Sequence, residues 1–303
     1  MEITPRKYVF LPMPANLLKT PSVSKDQTCV VLDFARRFPV ENHRRCEVEL
    51  KIATWNVNSV RARVPVVVKW LEKEKPDVLC MQELKATSEQ FPFEEFENLG
   101  YHCAVNGQVR WNGVAVVSLS EPAAIETDLN GFLPEQSRMI STGIHGIRLI
   151  NVYVPNGSDV DDPRFKDKLR YYEVLRNYAE GFDRPTVIVG DFNVAPGPDD
   201  THSPEQQDGT VCYHPLERKQ IQLFEKHGFR DVFRKYHPQG KAYSWWDYRA
   251  ASFRRNRGMR LDLVLADETA MERITDCFID KEPRKWEKPS DHTPVLFKIE
   301  VSE

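Results

Sequence analysis

Disulfide and zinc scaffolds are the first things this sequence lacks. Its six cysteines (Cys29, Cys46, Cys80, Cys103, Cys212, Cys277) are scattered over 303 residues, with no CxxC and no histidine at zinc-finger spacing. They read as reduced thiols of an intracellular protein. No run reaches the roughly 18 to 20 apolar residues that a bilayer demands, and Pro5, Pro12 and Pro14 interrupt the first twenty residues before any secretory core can form. A cytoplasmic protein with no membrane contact is therefore expected. A mitochondrial presequence is the weaker reading, because Glu2, Asp26, Asp33, Glu41, Glu47 and Glu49 are mixed with the basic residues there. An excess of positive charge is missing too. With 42 Lys+Arg against 45 Asp+Glu the net charge is -3, which excludes a tail-driven nucleic-acid binder and requires any basic surface to be local.

What is present is an ordinary globular composition, 41% hydrophobic and 29% charged, enough to bury a sizeable core. Residues 1–49 show no clean period, although Cys29–Leu32 could form a short strand, and they are treated as an N-terminal extension. From Leu50 the character changes: Leu50–Asn56 alternates as a half-buried strand does. Val64, Val67, Val68 and Leu71 then fall at helical spacing up to Glu74, with Pro65 near the start and Pro76 as a stop. An apolar strand over 77–83 that ends in a carboxylate, and short β-branched, apolar runs at 113–118, 147–154, 186–189, 261–265 and 295–299, are expected. Helices are expected near 165–180 and 215–227, and a long loop over 197–209. Many strands with few helices between them predict an α/β fold, a four-layered α/β sandwich of two packed mixed β-sheets flanked by helices, over residues 50–303.

An unusual number of these strands end in polar groups: Asn56, Asn58, Glu83, Tyr153, Asn156, Asp191, Asn193, Asp262, Asp291 and His292. So many polar ends against a core need something to satisfy them, and a shared divalent cation and a phosphate would do so. Singly, most have a plain reading. Asn56 is a turn former, Gly190-Asp191-Phe192-Asn193 suits a type I turn, and Ser290-Asp291-His292-Thr293-Pro294 reads as a turn or helix cap. Glu83 is harder to dismiss, since glutamate is depleted in strands and costly to bury unpaired.

Taken together, Gln82-Glu83, Asn151–Gly157, Gly190–Asn193, Asn256–Asp262 and Ser290–His292, in this order and spacing, resemble the exonuclease III family of DNA-repair nucleases, within the endonuclease/exonuclease/phosphatase superfamily. The resemblance covers residues 50–300 and includes the opening Lys51–Arg63. The extension 1–49 has no counterpart in compact members of that family. Ser59 stands where many relatives have Gly, and Trp111 where Tyr is frequent. Superfamily members that cleave lipid or inositol phosphates share the Glu, Asp-x-Asn and Ser-Asp-His elements. The substrate signal is instead Tyr243–Arg249 followed by Asn256–Asp262, which look like the family's DNA-facing loop and pocket. From Tyr248 through Arg260 there are five arginines and no acid, a local phosphate-binding surface if it is not merely a solvated loop.

The resemblance implies Mg²⁺-dependent hydrolysis of duplex DNA 5′ to abasic sites, together with 3′→5′ exonuclease and 3′-end trimming, by a monomer; Mn²⁺ can substitute. Asn56, Glu83 and Asp291 would hold the ion, with Asp191, Asn193 and His292 bordering the same metal region. Asp262 would orient His292, Asp191 would move the proton, and Asn193 would orient Asp191. Tyr153 and Asn156 would contact the phosphate or leaving oxygen. Trp245, Met259 and Leu261 would form a pocket for a base-free sugar, flanked by Arg249, Arg254, Arg255 and Arg257. A core role for Trp245 is the alternative. A lipid or inositol phosphatase and a non-catalytic DNA-binding relative are the rival functions.

Overall fold

The computed structural model describes residues 47–302. The short strand considered at Cys29–Leu32 lies outside them. The first strand, β1 (Glu47–Asn56), starts three residues earlier than the alternation suggested, because Glu47, Val48 and Glu49 pair with the end of the last strand. One six-stranded sheet follows the order β11 (Ile274–Ile279), β12 (Val295–Ser302), β1, β2 (Val78–Gln82), β4 (Val114–Ser118), β3 (His102–Asn106). The other runs β5 (Ala123–Glu126), β6 (Met139–Ile144), β7 (Ile147–Tyr153), β8 (Thr186–Asp191), β10 (Asp262–Ala266), β9 (Arg230–Asp231). The architecture is the expected two-sheet α/β sandwich. Both sheets repeat one pairing pattern, a single parallel pair (β1 with β2, β7 with β8) inside antiparallel neighbours, which no internal sequence repeat announces.

Three apolar layers hold the sandwich. Between the sheets, Ile52, Val78, Cys80, Val116 and Phe297 of the first meet Ile140, Leu149, Val187, Val189 and Val264 of the second. Outside the first sheet, α1 (Val60–Glu74) and α2 (Phe93–Glu97) cover Trp55, Leu79 and Met81 with Val67, Trp70, Leu71 and Phe96. Outside the second, α3 (Pro163–Ala179) and α5 (Pro215–Lys226) cover Ile150, Ile188 and Leu263. The central strands are apolar on both faces, so they read as continuous hydrophobic runs rather than alternations. Helix α1 begins a turn before the expected Val64 and carries Pro65 in its second turn, where the bond from residue 65 to the Arg61 carbonyl is missing. Lys75 closes it in the left-handed region, its amide donating to the Leu71 carbonyl. The expected loop at 197–209 contains a short helix, α4 (Pro204–Gln207); α6 (Val232–Tyr236) and α7 (Glu268–Arg273) complete the set. Among the described residues no helix is long and apolar enough to cross a membrane.

Candidate active site

Strand polarity decides where the polar ends meet. In each sheet the parallel pair presents two carboxyl ends at one rim, and the antiparallel neighbours β12 and β10 present their amino ends there. Asn56 closes β1, Glu83 follows β2, Tyr153 closes β7 and Asp191 closes β8, while Asp262 opens β10 and Asp291-His292 lead into β12. One cleft of about 610 Å³ is lined by Glu83, Tyr153, Asn156, Asp191, Asn193, Trp245, Met259, Leu261, Asp291 and His292, with Arg257 on its edge.

Asn56, fully buried, joins the two sheets. Its Nδ2 donates to Glu83 Oε2 and to Asp191 Oδ2, both at 2.9 Å, while its Oδ1 accepts the Asn58 amide at 2.9 Å. It thus turns its nitrogen to the carboxylates and its oxygen to the backbone of the following turn. The Glu83 backbone takes a left-handed turn (φ 57°), which ends β2 and swings the side chain into the cleft. Its Oε1 pairs with Lys85 Nζ at 2.8 Å. Lys85 also donates to Asn58 Oδ1 (2.7 Å), and Asn58 Nδ2 to Asp291 Oδ1 (2.8 Å), so a chain of donors links Glu83 to Asp291.

Across the cleft, His292 Nδ1 lies 2.8 Å from Asp262 Oδ2 and its Nε2 3.7 Å from Asp191 Oδ2. Burial by itself would strip the proton from His292, but the carboxylates of Asp262 and Asp191 outweigh it and raise the imidazole well above its usual range. Asp191 is raised chiefly by burial, against the pull of the His292 charge. Asp291 is held low: burial would raise it, but His292 and the hydrogen bonds from Asn58 and Trp245 prevail. The Tyr153 hydroxyl is raised well above the usual phenol range, first by burial and then by the neighbouring carboxylates of Glu83 and Asp191. Arg138 lies over its ring, 5.0 Å from the centroid. Asn193, in the left-handed region (φ 51°), donates its amide to Asp191 Oδ1 at 2.8 Å, and Asn156 Nδ2 reaches Asn193 Oδ1 at 3.0 Å.

The apolar wall is also assembled. Trp245, Met259 and Leu261 pack with Ala195, Val211, Cys212 and Tyr213, and the Trp245 indole N–H donates to Asp291 Oδ2 at 3.0 Å. Trp245 is half-buried and lines the cleft, whereas its neighbour Trp246 is the core residue. The arginine loop is only partly gathered. Arg257 borders the cleft, Arg249 turns back to a bidentate pair with Asp247, and Arg254 and Arg255 are exposed outside it. Arg260, counted with that loop, is fully buried between Asp200 and Asp231 and is a brace of the fold. Several participants were missed. Lys85 had a visible signal, lying two residues from the singled-out Glu83. Ser244 had none: its hydroxyl accepts the Leu261 and Asp262 amides at 3.1 Å, a contact between distant segments.

Residues 53–292 match the endonuclease/exonuclease/phosphatase family. Exodeoxyribonuclease III of Haemophilus influenzae is 34% identical over 265 residues, covering 81% of this chain and 98% of its own. An AP endonuclease structure from Archaeoglobus fulgidus is 40% identical, with a TM-score of 0.79 over 84% of this chain and 99% of its own. A Neisseria 3′ phosphatase bound to a product DNA hairpin is 37% identical, with a TM-score of 0.81 over 82% and 99%. Fold and sequence agree over nearly the whole length of these proteins, and the chain belongs to the endonuclease/exonuclease/phosphatase family, in its exodeoxyribonuclease III branch.

Proposed function

We propose that this chain is a Mg²⁺-dependent DNA-repair phosphodiesterase that incises duplex DNA 5′ to abasic sites and trims 3′ ends, Mn²⁺ being able to replace Mg²⁺. The observation that carries the reading is the rim itself, where Glu83 and Asp191, one from each sheet, share the Asn56 amide opposite the Asp262–His292 pair and beside the Trp245 wall. The names of its relatives, an AP endonuclease and a 3′ phosphatase with DNA among them, support the substrate.

The donor set suits a hard cation. Glu83, Asp191 and Asp291 offer carboxylate oxygens, and the Asn56 amide and Lys85 ammonium now meet a demand for positive charge that a divalent ion would share. Asp191, Asp262 and His292 can also bring ligand atoms within 4.8 Å of one another, but His292 is already engaged by Asp262, and that trio acts as an acid–base unit. When bound, the cation would neutralise phosphate charge and stabilise the leaving oxygen. His292, kept protonated and held in orientation by Asp262, holds a non-bridging phosphate oxygen. Asp191, steered by the Asn193 amide and the Asn56 side chain, moves the proton. Asn156 and the Tyr153 hydroxyl steady the phosphate, and an abasic sugar, with no base to unstack, enters against Trp245, Met259 and Leu261.

The test is a duplex with one tetrahydrofuran abasic analogue, incubated with Mg²⁺ or with EDTA. Wild type should cut 5′ to the analogue, leaving a 3′-hydroxyl, only with Mg²⁺. Glu83→Gln should lower the rate by about two to three orders of magnitude while the fold stays intact. Asp191→Asn should abolish cutting while duplex binding survives or tightens. Incision in EDTA, near-normal Glu83→Gln, or phosphate release from inositol phosphates without incision would overturn the reading.

A further inference from the structure

Lysine is among the residues least often buried, yet Lys168 of α3 is wholly enclosed. Its ammonium has three protons and three partners: the Asn156 carbonyl at 2.9 Å, the Asn193 carbonyl at 2.7 Å, and Glu217 Oε1. Glu217, at the third position of α5 and equally buried, accepts the Cys212 amide (3.2 Å) on Oε1 and the His214 amide (2.9 Å) on Oε2. One ion pair therefore ties together the turns that follow β7 and β8, the 212–214 segment and two helices. The backbone yields to it: at Gly157 (φ +92°) a Cβ would lie 3.1 Å from Lys168 Cδ.

We propose that Lys168 and Glu217 are positioning residues for the reaction, holding Asn156 and Asn193 from behind and, through the Asn193 amide, aiming Asp191. This rests on the function proposed above. The two carbonyls that Lys168 grips belong to residues whose side chains face the cleft and touch each other, and the backbone amide of Asn193 donates to Asp191 Oδ1. A buried ion pair is a poor source of stability, since apolar residues of similar volume often do as well or better. What an apolar pair cannot do is fix two carbonyls at hydrogen-bonding distance from one point.

Lys168→Met, which keeps the stem and removes the charge, and Glu217→Gln are compared with wild type on the abasic duplex, reading kcat, KM and melting temperature on one preparation. The expected result is a kcat lowered tenfold or more per folded molecule, with KM within about threefold of wild type, in both variants. Unchanged kcat with only a lowered melting temperature assigns the pair to stability and overturns the proposal. If Lys168→Met does not fold, the milder Glu217→Gln decides alone; if neither folds, the pair is structural and the proposal fails. Absence of incision by wild type would instead remove the function on which the pair is argued.

Discussion

Trp245 carries the narrowest claim made at the scale of one residue. Its ring is a wall of the cleft and its N–H holds Asp291, so truncation and conservative replacement separate two effects. Trp245→Ala removes an apolar contact worth on the order of 2 kcal/mol, and abasic incision should fall about ten- to a hundredfold, with the melting temperature little changed. Trp245→Phe keeps a wall and loses only the donor, and should retain most of that rate. Parallel loss of incision, exonuclease activity and melting temperature would make Trp245 a core residue after all. Residue identity was the best-read level of this sequence, because carboxylates and amides at the ends of apolar runs stand out against the cost of burying them. Lys168 could have been noticed the same way: it sits in the buried stripe of α3 between Phe165 and Tyr171-Tyr172, where a cation is out of place. Its partner Glu217 could not, since an acid in the first turn of a helix has a complete local explanation as a cap.

Elements were legible where continuous apolar runs are buried on both faces and blurred where pairing alone defines them; buried β6 was missed because Ser141, Thr142 and Gly143 interrupt its apolar run. The apolar runs of β2, β4, β7 and β8 were visible, but exposed β5 and the partly exposed β3 and β11 have no such signature. Within β8, Gly190 has φ +139°, and a Cβ there would stand 2.0 Å from the Val152 carbonyl oxygen of the neighbouring strand. Gly190→Ala should therefore destabilise the protein by at least about 3 kcal/mol in chemical denaturation, far beyond the usual cost of replacing a glycine. A loss below 1 kcal/mol would mean that the strand can shift without harm. The amino-terminal boundary makes a second prediction. Removing residues 1–46 leaves the β1 ladder whole, while removing 1–49 takes three pairs with β12. The first deletion should leave incision and melting temperature as they are; the second should lower melting by about 2 to 4 °C. Loss of folding on removing 1–46 would show that those residues belong to the domain.

At the scale of the whole molecule, the meeting of the sheets was the least legible feature, because contacts between strands far apart in sequence leave no periodic trace. The buried bridge of Asn151 is an example. From β7 its Nδ2 donates to the Met81 and Ala115 carbonyls of the other sheet, at 3.0 and 2.9 Å, and its Oδ1 accepts from Gln82 Nε2 at 2.7 Å. Asn151→Ala strands buried polar groups and should cost about 2 to 4 kcal/mol by thermal or denaturant unfolding. A cost under 1 kcal/mol would show that the sheets are held by apolar packing alone.

Asn56 gives that arrangement a further meaning. Its amide spans from a carboxylate of one sheet to a carboxylate of the other, so it works as a caliper set to the thickness of the sandwich. The distance between the two halves of the cleft is then fixed by the bulk of side chains such as Val116, Val189 and Phe297, none of which meets substrate. A methyl group added or removed in that layer is a shim, able to open or close the jaws by a fraction of an ångström. Rate and substrate preference in this enzyme can therefore drift through changes in its dry interior while every polar group stays the same.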